Sequence, residues 1–200
     1  METLLLVLLA ANAAPVHDIP RLDKIVVDGK PDAWGARGFR VHRMADRKGQ
    51  TRPANDFAPA FRLGWSDEGL LVLVTVKDDT AIEAPDDGLW SRDGIEIFVA
   101  ARRRSPQYYQ LALAPGASPV QPELRKRLVD KRKDQSQQLA CEAARTKTKD
   151  GYICEILLPW KNIGVEPKAG HVAAFQIYVN DYDKDETGNY QVVWHPYNQA

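Results

Sequence analysis

"APAFRLGWSDEGLLVLVTVKDD", residues 58–79, decides the fold. Ala58–Trp65 reads as one strand. Ser66–Gly69 gathers turn-forming residues. Leu70–Asp78 resumes as a second strand, so the stretch is a β-hairpin. The second arm runs Leu70, Leu71, Val72, Leu73, Val74 almost without a break. Such a run marks a strand buried on both faces.

Further strands are expected on both sides. Lys24–Asp28 reads as a short strand that turns at Asp28-Gly29. Asp93–Ala101 and Tyr108–Ala114 follow, then "GYICEILLPW" (151–160), "HVAAFQIYVND" (171–181) and "YQVVWH" (190–195). Short strands separated by turns, without βαβ alternation, indicate an all-β antiparallel β-sandwich. The expected architecture is jelly-roll-like, with the two sheets of an immunoglobulin-like fold. Pro119–Gln138 is polar and locally basic, and a short helix around Pro122–Lys133 would fit it. Glu123, Asp130 and Asp134 dilute its charge, so it reads as a solvated connection rather than a patch for an acidic polymer.

The 200 residues carry 27 Lys and Arg against 27 Asp and Glu. That balance argues against nucleic-acid binding, which wants a net basic face. The apolar run Leu4–Ala11 is too short to span a bilayer. With Ala11-Asn12-Ala13 it reads as a signal peptide over residues 1–13, although the leader has Glu2 and no basic residue. A buried N-terminal helix is the alternative. Export implies a secreted or periplasmic protein, with one sandwich domain over residues 20–200. Export also permits disulfides. A hairpin turning at Asp150-Gly151 sets Cys154 opposite Lys147 and Cys141 opposite Trp160. The sulfurs are then roughly 20 Å apart, beyond bridging distance, so both thiols are expected free.

Several chemistries lack their residues. There is no G-x-S-x-G, no Walker loop, no G-x-G-x-x-G and no paired-histidine zinc spacing among His17, His42, His171 and His195. "NDYDKDETGN" (180–189) has acids at alternate positions but lacks the glycine and closing Glu of an EF-hand. It reads as an acidic hairpin loop with at most feeble calcium affinity.

"LWSRDGIEIFVA" (89–100) carries the chemistry that remains. Asp93 and Glu96 resemble the acid pair of a glycosidase. Their odd spacing along one strand points them to opposite faces, so they cannot flank one bond. Asp86 and Asp87 could offer an acid from the preceding loop, but nothing fixes their geometry. Trp65 and Trp160 sit among apolar neighbours and read as core. Trp90 lies in polar, loop-like sequence. An indole there can stack on the C–H face of a sugar, with Glu96 accepting from hydroxyls. It could equally fold back as a lid on the sandwich edge.

Taken together, these segments resemble the family 9 carbohydrate-binding modules, a DOMON-like β-sandwich family. The likeness runs from about Ile25 to Trp194. "IVVDGKPDAWG" is similar to the opening strand and turn, "FRLGWSDEGLLVLVTVKDD" to the central hairpin, and "LWSRDGIEIFVA" to the most specific motif. "GYICEILLPWKNIG" and "GHVAAFQIYVND" resemble the C-terminal half. The resemblance implies a non-catalytic, monomeric module. It would hold a mono- or oligosaccharide, or a polysaccharide chain end, between two tryptophans, with structural Ca2+ nearby and no organic cofactor. Enzyme descriptions of such modules belong to attached hydrolases. Trp90 matches the first clamp tryptophan and Glu96 the acid on sugar hydroxyls. Asp78 and Asp93 match calcium positions.

Several sugar-contact positions are altered. Ala112 and Ala114 stand where sugar-binding members carry Arg and Asn, and Tyr178 stands where they carry Gln. The second clamp tryptophan falls several residues beyond the position of Trp194 and past Ala200. Tyr197 is the candidate substitute. The site expected from the resemblance is therefore Trp90, Glu96, Tyr178, Trp194 and Tyr197. A structural or protein-interaction sandwich that lost the site is the alternative. Less favoured are a glycoside hydrolase and a haem-binding domain, which would have only Met44 and the nearby His42 as ligands.

Overall fold

The structure is a computed structural model that describes residues 15–84, 88–131, 138–184 and 189–195. The expected signal peptide, Asp86, Asp87 and Tyr197 lie outside the described residues. In chain order the strands are β1 (Phe39–Val41), β2 (Phe57–Trp65), β3 (Gly69–Asp78), β4 (Gly94–Ala100) and β5 (Tyr109–Ala114). They continue as β6 (Arg125–Asp130), β7 (Glu142–Thr148), β8 (Gly151–Pro159), β9 (Ala174–Asp181) and β10 (Tyr190–Val193). One helical turn, α1 (Trp160–Ile163), follows β8. Two antiparallel sheets form the sandwich, in the orders β1-β2-β3-β8-β7 and β10-β9-β4-β5-β6.

The opening hairpin forms as expected, from Phe57 opposite Asp78 to Trp65 opposite Leu70. Its second arm is buried on both faces. Val72, Val74 and Val76 point between the sheets into the main core. Leu71 and Leu73 point the other way and pack with Leu22, Trp34 and Leu157. That second layer is supplied by the N-terminal segment, which crosses the outer face of the first sheet. Trp160 is buried in the main core and Trp65 packs on its edge.

The N-terminal segment differs from expectation. Lys24–Asp28 forms no strand; Lys24 has φ of 62° and a short 3₁₀ turn follows at Pro31–Trp34. The cause is one side chain, Glu155, at an outward position of β8. Its Oε2 accepts the backbone N–H groups of Asp28, Gly29 and Lys30 at 2.9, 2.8 and 3.2 Å. Its Oε1 accepts Trp34 Nε1–H at 2.7 Å. These donors cannot also serve a sheet ladder.

The expected helix around Pro122–Lys133 is also replaced. Arg125–Asp130 is the edge strand β6, paired with β5 from Tyr109–Asp130 to Ala114–Arg125. Leu128 turns inward while Arg125 and Arg127 line the other face, a strand period of two. Cationic side chains on an edge strand also discourage pairing with another chain. The β7–β8 hairpin turns one residue earlier than expected, with Thr148 opposite Gly151 and Cys154 opposite Arg145. Gly151 serves close packing: a Cβ there would lie 2.1 Å from the Val76 carbonyl oxygen. Cys141 and Cys154 are both free thiols, as expected.

Glu155→Ala should leave the Gly29 N–H and the Trp34 indole N–H without an acceptor, while the Asp28 and Lys30 N–H groups keep Val26 O and Asp28 Oδ1. A loss of about 3 kcal/mol is expected, read as a lowered denaturant midpoint with the second sheet's near-UV signal retained below the transition.

Candidate functional site

β4 sets the site through alternation. Ile95, Ile97 and Val99 face the core, so Glu96 and Phe98 face outward. Asp93 continues the inward series by one step. Asp78 does the same on β3, after Val72, Val74 and Val76. Asp181 does so on β9, after Ile177 and Val179. Three strands thus end their inward faces on a carboxylate at one end of the sandwich. Asp93 and Glu96 lie on opposite faces of their sheet, and cannot act on one bond from there.

The three inward acids converge. Asp78, Asp93 and Asp181 are all buried, and each offers an oxygen within 4.8 Å of the others. Asp93 Oδ1 accepts Tyr182 N–H at 2.7 Å, and its Oδ2 accepts Ile82 N–H. Asp78 Oδ1 accepts Thr80 N–H at 2.9 Å, while its buried Oδ2 has no hydrogen-bond partner. Asp181 Oδ2 lies 2.8 Å from Arg52 Nη1, which also reaches Asp183 at 2.7 Å. Burial and mutual repulsion hold protons on the cluster. Asp78 is pushed up to about 6, chiefly by burial. Asp93 is pushed up to about 9 by burial and by Asp78. Asp181 is pushed up to about 7, by burial against the pull of Arg52.

These residues fit a hard divalent cation. All donors are carboxylate oxygens, one buried oxygen is unpartnered, and oxygens sharing a Ca2+ at about 2.4 Å can be no more than about 5 Å apart. The sequence marked Asp78 and Asp93. It missed Asp181 and Arg52, although counting alternate positions back from the core would have found Asp181.

The outward site is a different surface. Glu96 is 7% exposed and sits between Ala112 of β5 and Tyr178 of β9 in the register. Its Oε2 accepts Gln110 Nε2–H at 2.8 Å, and its Oε1 accepts Asn180 at 3.2 Å and Gln191 at 3.4 Å. Burial nonetheless raises its pKa above the ordinary value. Asn180 also donates to the Trp90 carbonyl at 3.1 Å, and Asn189 to the same oxygen at 3.0 Å. Trp90, joined to this cluster through its carbonyl, is 47% exposed. Its neighbour Leu89 is buried on Ala112 and Ala114, so an apolar plug covers the two altered positions. The Tyr178 ring stands on the same face, 4.9 Å from that of Phe98.

Trp90, Glu96 and Tyr178 therefore belong to one surface. Trp194 does not join them. It follows the inward Val192 and packs against Phe61, Phe175 and Phe39 at the far end of the sandwich. Met44 is enclosed in the core while His42 is exposed, so the two face different surroundings. Gln110, Asn180 and Gln191 were not singled out in the sequence. The alternation Gln176, Tyr178, Asn180 along β9 was the available signal.

With this geometry in view, the comparisons are specific. The family model described as "Carbohydrate family 9 binding domain-like" matches residues 27–199. The chain belongs to that family. Its fold is similar to a family 9 carbohydrate-binding module from Caldicellulosiruptor kristjanssonii solved with cellotriose. The TM-score is 0.63 at 17% identity, over 87% of this chain and 80% of that one. The structure of such a module from the same organism with glucose gives 0.61 at 17% identity, over 87% and 82%. No curated protein matches the chain significantly. No helix among the described residues is long and apolar enough to cross a membrane.

The raised carboxylates predict a pH dependence for metal-free protein. An unfolded Asp loses its proton near pH 4. Folded Asp78, Asp181 and Asp93 keep theirs to about 6, 7 and 9. The folded state then binds more protons, so stability falls as pH rises from about 4 to 9. One extra bound proton costs about 1.4 kcal/mol per pH unit, or about 3–5 °C. Melting in chelator at pH 5, 6.5 and 8 should show a descending midpoint, and Asp93→Asn should flatten it.

Proposed function

We propose that the chain is a non-catalytic carbohydrate-binding module that holds a sugar or a polysaccharide end against Trp90 and Glu96. The observation that carries this is an exposed Trp90 whose carbonyl is held by Asn180, the same amide that, with Gln110 and Gln191, holds the Glu96 carboxylate on an outer sheet face. An indole supplies a flat apolar surface for sugar C–H groups. The remaining acceptor capacity of Glu96 suits a hydroxyl donor. Membership of the family, and the cellotriose and glucose bound by the two similar modules, support the same ligand class. Tyr178 borders the sugar, and Tyr197 is the candidate second wall. The reading includes a single module over residues 20–200 that works as a monomer outside the cytoplasm.

Asp78, Asp93 and Asp181 would hold Ca2+ on the inner side of the same sheet. Such an ion would supply positive charge to balance these buried acids, which come from both sheets. Its role would be structural. Leu89 on Ala112 and Ala114 favours a second reading, a sandwich that kept the fold and engages a protein instead.

Tryptophan fluorescence titrated with glucose and cellotriose separates the two. The first reading expects saturable binding at millimolar sugar or below, lost in Trp90→Ala. Glu96→Gln should weaken it about tenfold, roughly 1.4 kcal/mol. A flat wild-type titration supports the protein-interaction reading. For the ion, Ca2+ added to chelator-treated protein should raise the melting midpoint at pH 8, and Asp181→Asn should remove most of that gain.

A further inference from the structure

The end of the sandwich opposite the three acids carries a cleft of about 540 Å3. It opens where β2 ends, β3 begins, β4 ends and β9 begins. Leu63, Trp65, Val99, Phe175 and Trp194 form its body. Trp194 and Phe175 stand 6.0 Å apart, and Trp194 also meets His195 at 4.3 Å and His17 at 5.2 Å. The volume falls within the range of small-molecule sites, about 300–1,000 Å3. An apolar, aromatic floor with few hydrogen-bonding groups suits an apolar body rather than a sugar.

The rim is charged and asymmetric. Arg21 is committed to Asp67, at 2.6–2.7 Å, and to Asp23. Arg103, after β4, and Lys168, before β9, are exposed on the cleft's edge. Asp18 is the acid among the lining residues. Arg21 with its two acid partners leaves that corner one negative charge in excess, and Asp18 lies on the same N-terminal segment, so the cations Arg103 and Lys168 on the β4 and β9 side are where a single anionic group of the ligand would be met. Burial, with His17 beside it, lowers the His195 pKa. That shift favours the neutral imidazole, which adds a polar contact on the cleft's edge.

We propose that this cleft is a second ligand site, for a small amphiphile with an apolar body and one carboxylate or sulfonate group. The body lies against Phe175, Trp194 and Trp65, and the anionic head reaches Arg103 and Lys168. Neither Trp90 nor Glu96 takes part, so the site stands whether or not the sugar reading holds.

The test uses the full chain and 1-anilinonaphthalene-8-sulfonate, whose fluorescence rises in apolar surroundings. Saturable one-to-one enhancement is expected, with displacement by dodecanoate at least tenfold more effective than by dodecanol. Arg103→Ala combined with Lys168→Ala should erase that preference. Phe175→Ala should weaken both ligands at least tenfold. Near-UV circular dichroism matching wild type shows that each variant is folded. Saturating cellotriose should leave the probe bound. Absence of one-to-one binding by the folded full chain overturns the proposal and leaves the cleft to a segment of the chain or a protein partner. So does equal displacement by acid and alcohol, indifference to both sets of substitutions, or displacement by cellotriose.

Discussion

A hydrophobic core that ends on three carboxylates is the constraint around which this sandwich is arranged. β3, β4 and β9 each run their inward apolar series to the same end and finish it with Asp78, Asp93 and Asp181. Packing the two sheets together forces these acids into one buried volume. Without a balancing charge the folded state must retain protons there, because like charges in a poorly solvated site repel strongly. Arg52 balances part of the charge from one side. The rest of the end is fixed by backbone N–H groups of Ile82 and Tyr182 that grip Asp93.

The same alternation separates two surfaces that the sequence places side by side. Asp93 and Glu96 are three residues apart, yet one closes the core and the other anchors a polar cluster outside. Asn180 and Asp181 repeat the arrangement on β9. Glu155 applies the rule to the first sheet. It is a buried carboxylate on an outward position, and it organises a loop where a strand was expected. Asp93 and Glu155 thus mark where irregular backbone is tied to a sheet.

Much of this was legible from the chain alone. The period of two and the continuous apolar arm exposed the hairpin, the sandwich and the opposite orientation of Asp93 and Glu96. The failures share a physical origin. Lys24–Asp28 has strand-like residues, but Glu155 lies 127 residues beyond Asp28 and takes its N–H groups. Arg125–Asp130 looked helical because its charges hid the inward Leu128, which only pairing with β5 reveals. Gly151 suggested a turn, whereas close approach to β3 was its reason. The outward site was half visible: Trp90, Glu96 and Tyr178 share a surface, but their amide partners come from β5, β9 and β10. Trp194 resembled its neighbours in composition and faces the opposite end of the molecule.

Asn180 has a consequence that composition could not suggest. Its amide joins the Trp90 carbonyl to Glu96 on the outside of the sheet, and the next residue along the chain closes the core on the inside. A single peptide unit therefore connects the two environments. Asp181 is held by Arg52 on the inner side, and Asn180 holds Glu96 and the Trp90 carbonyl on the outer side. The loop that carries Trp90 is thus tied by its backbone carbonyl to the same strand that closes the acid cluster on the other side.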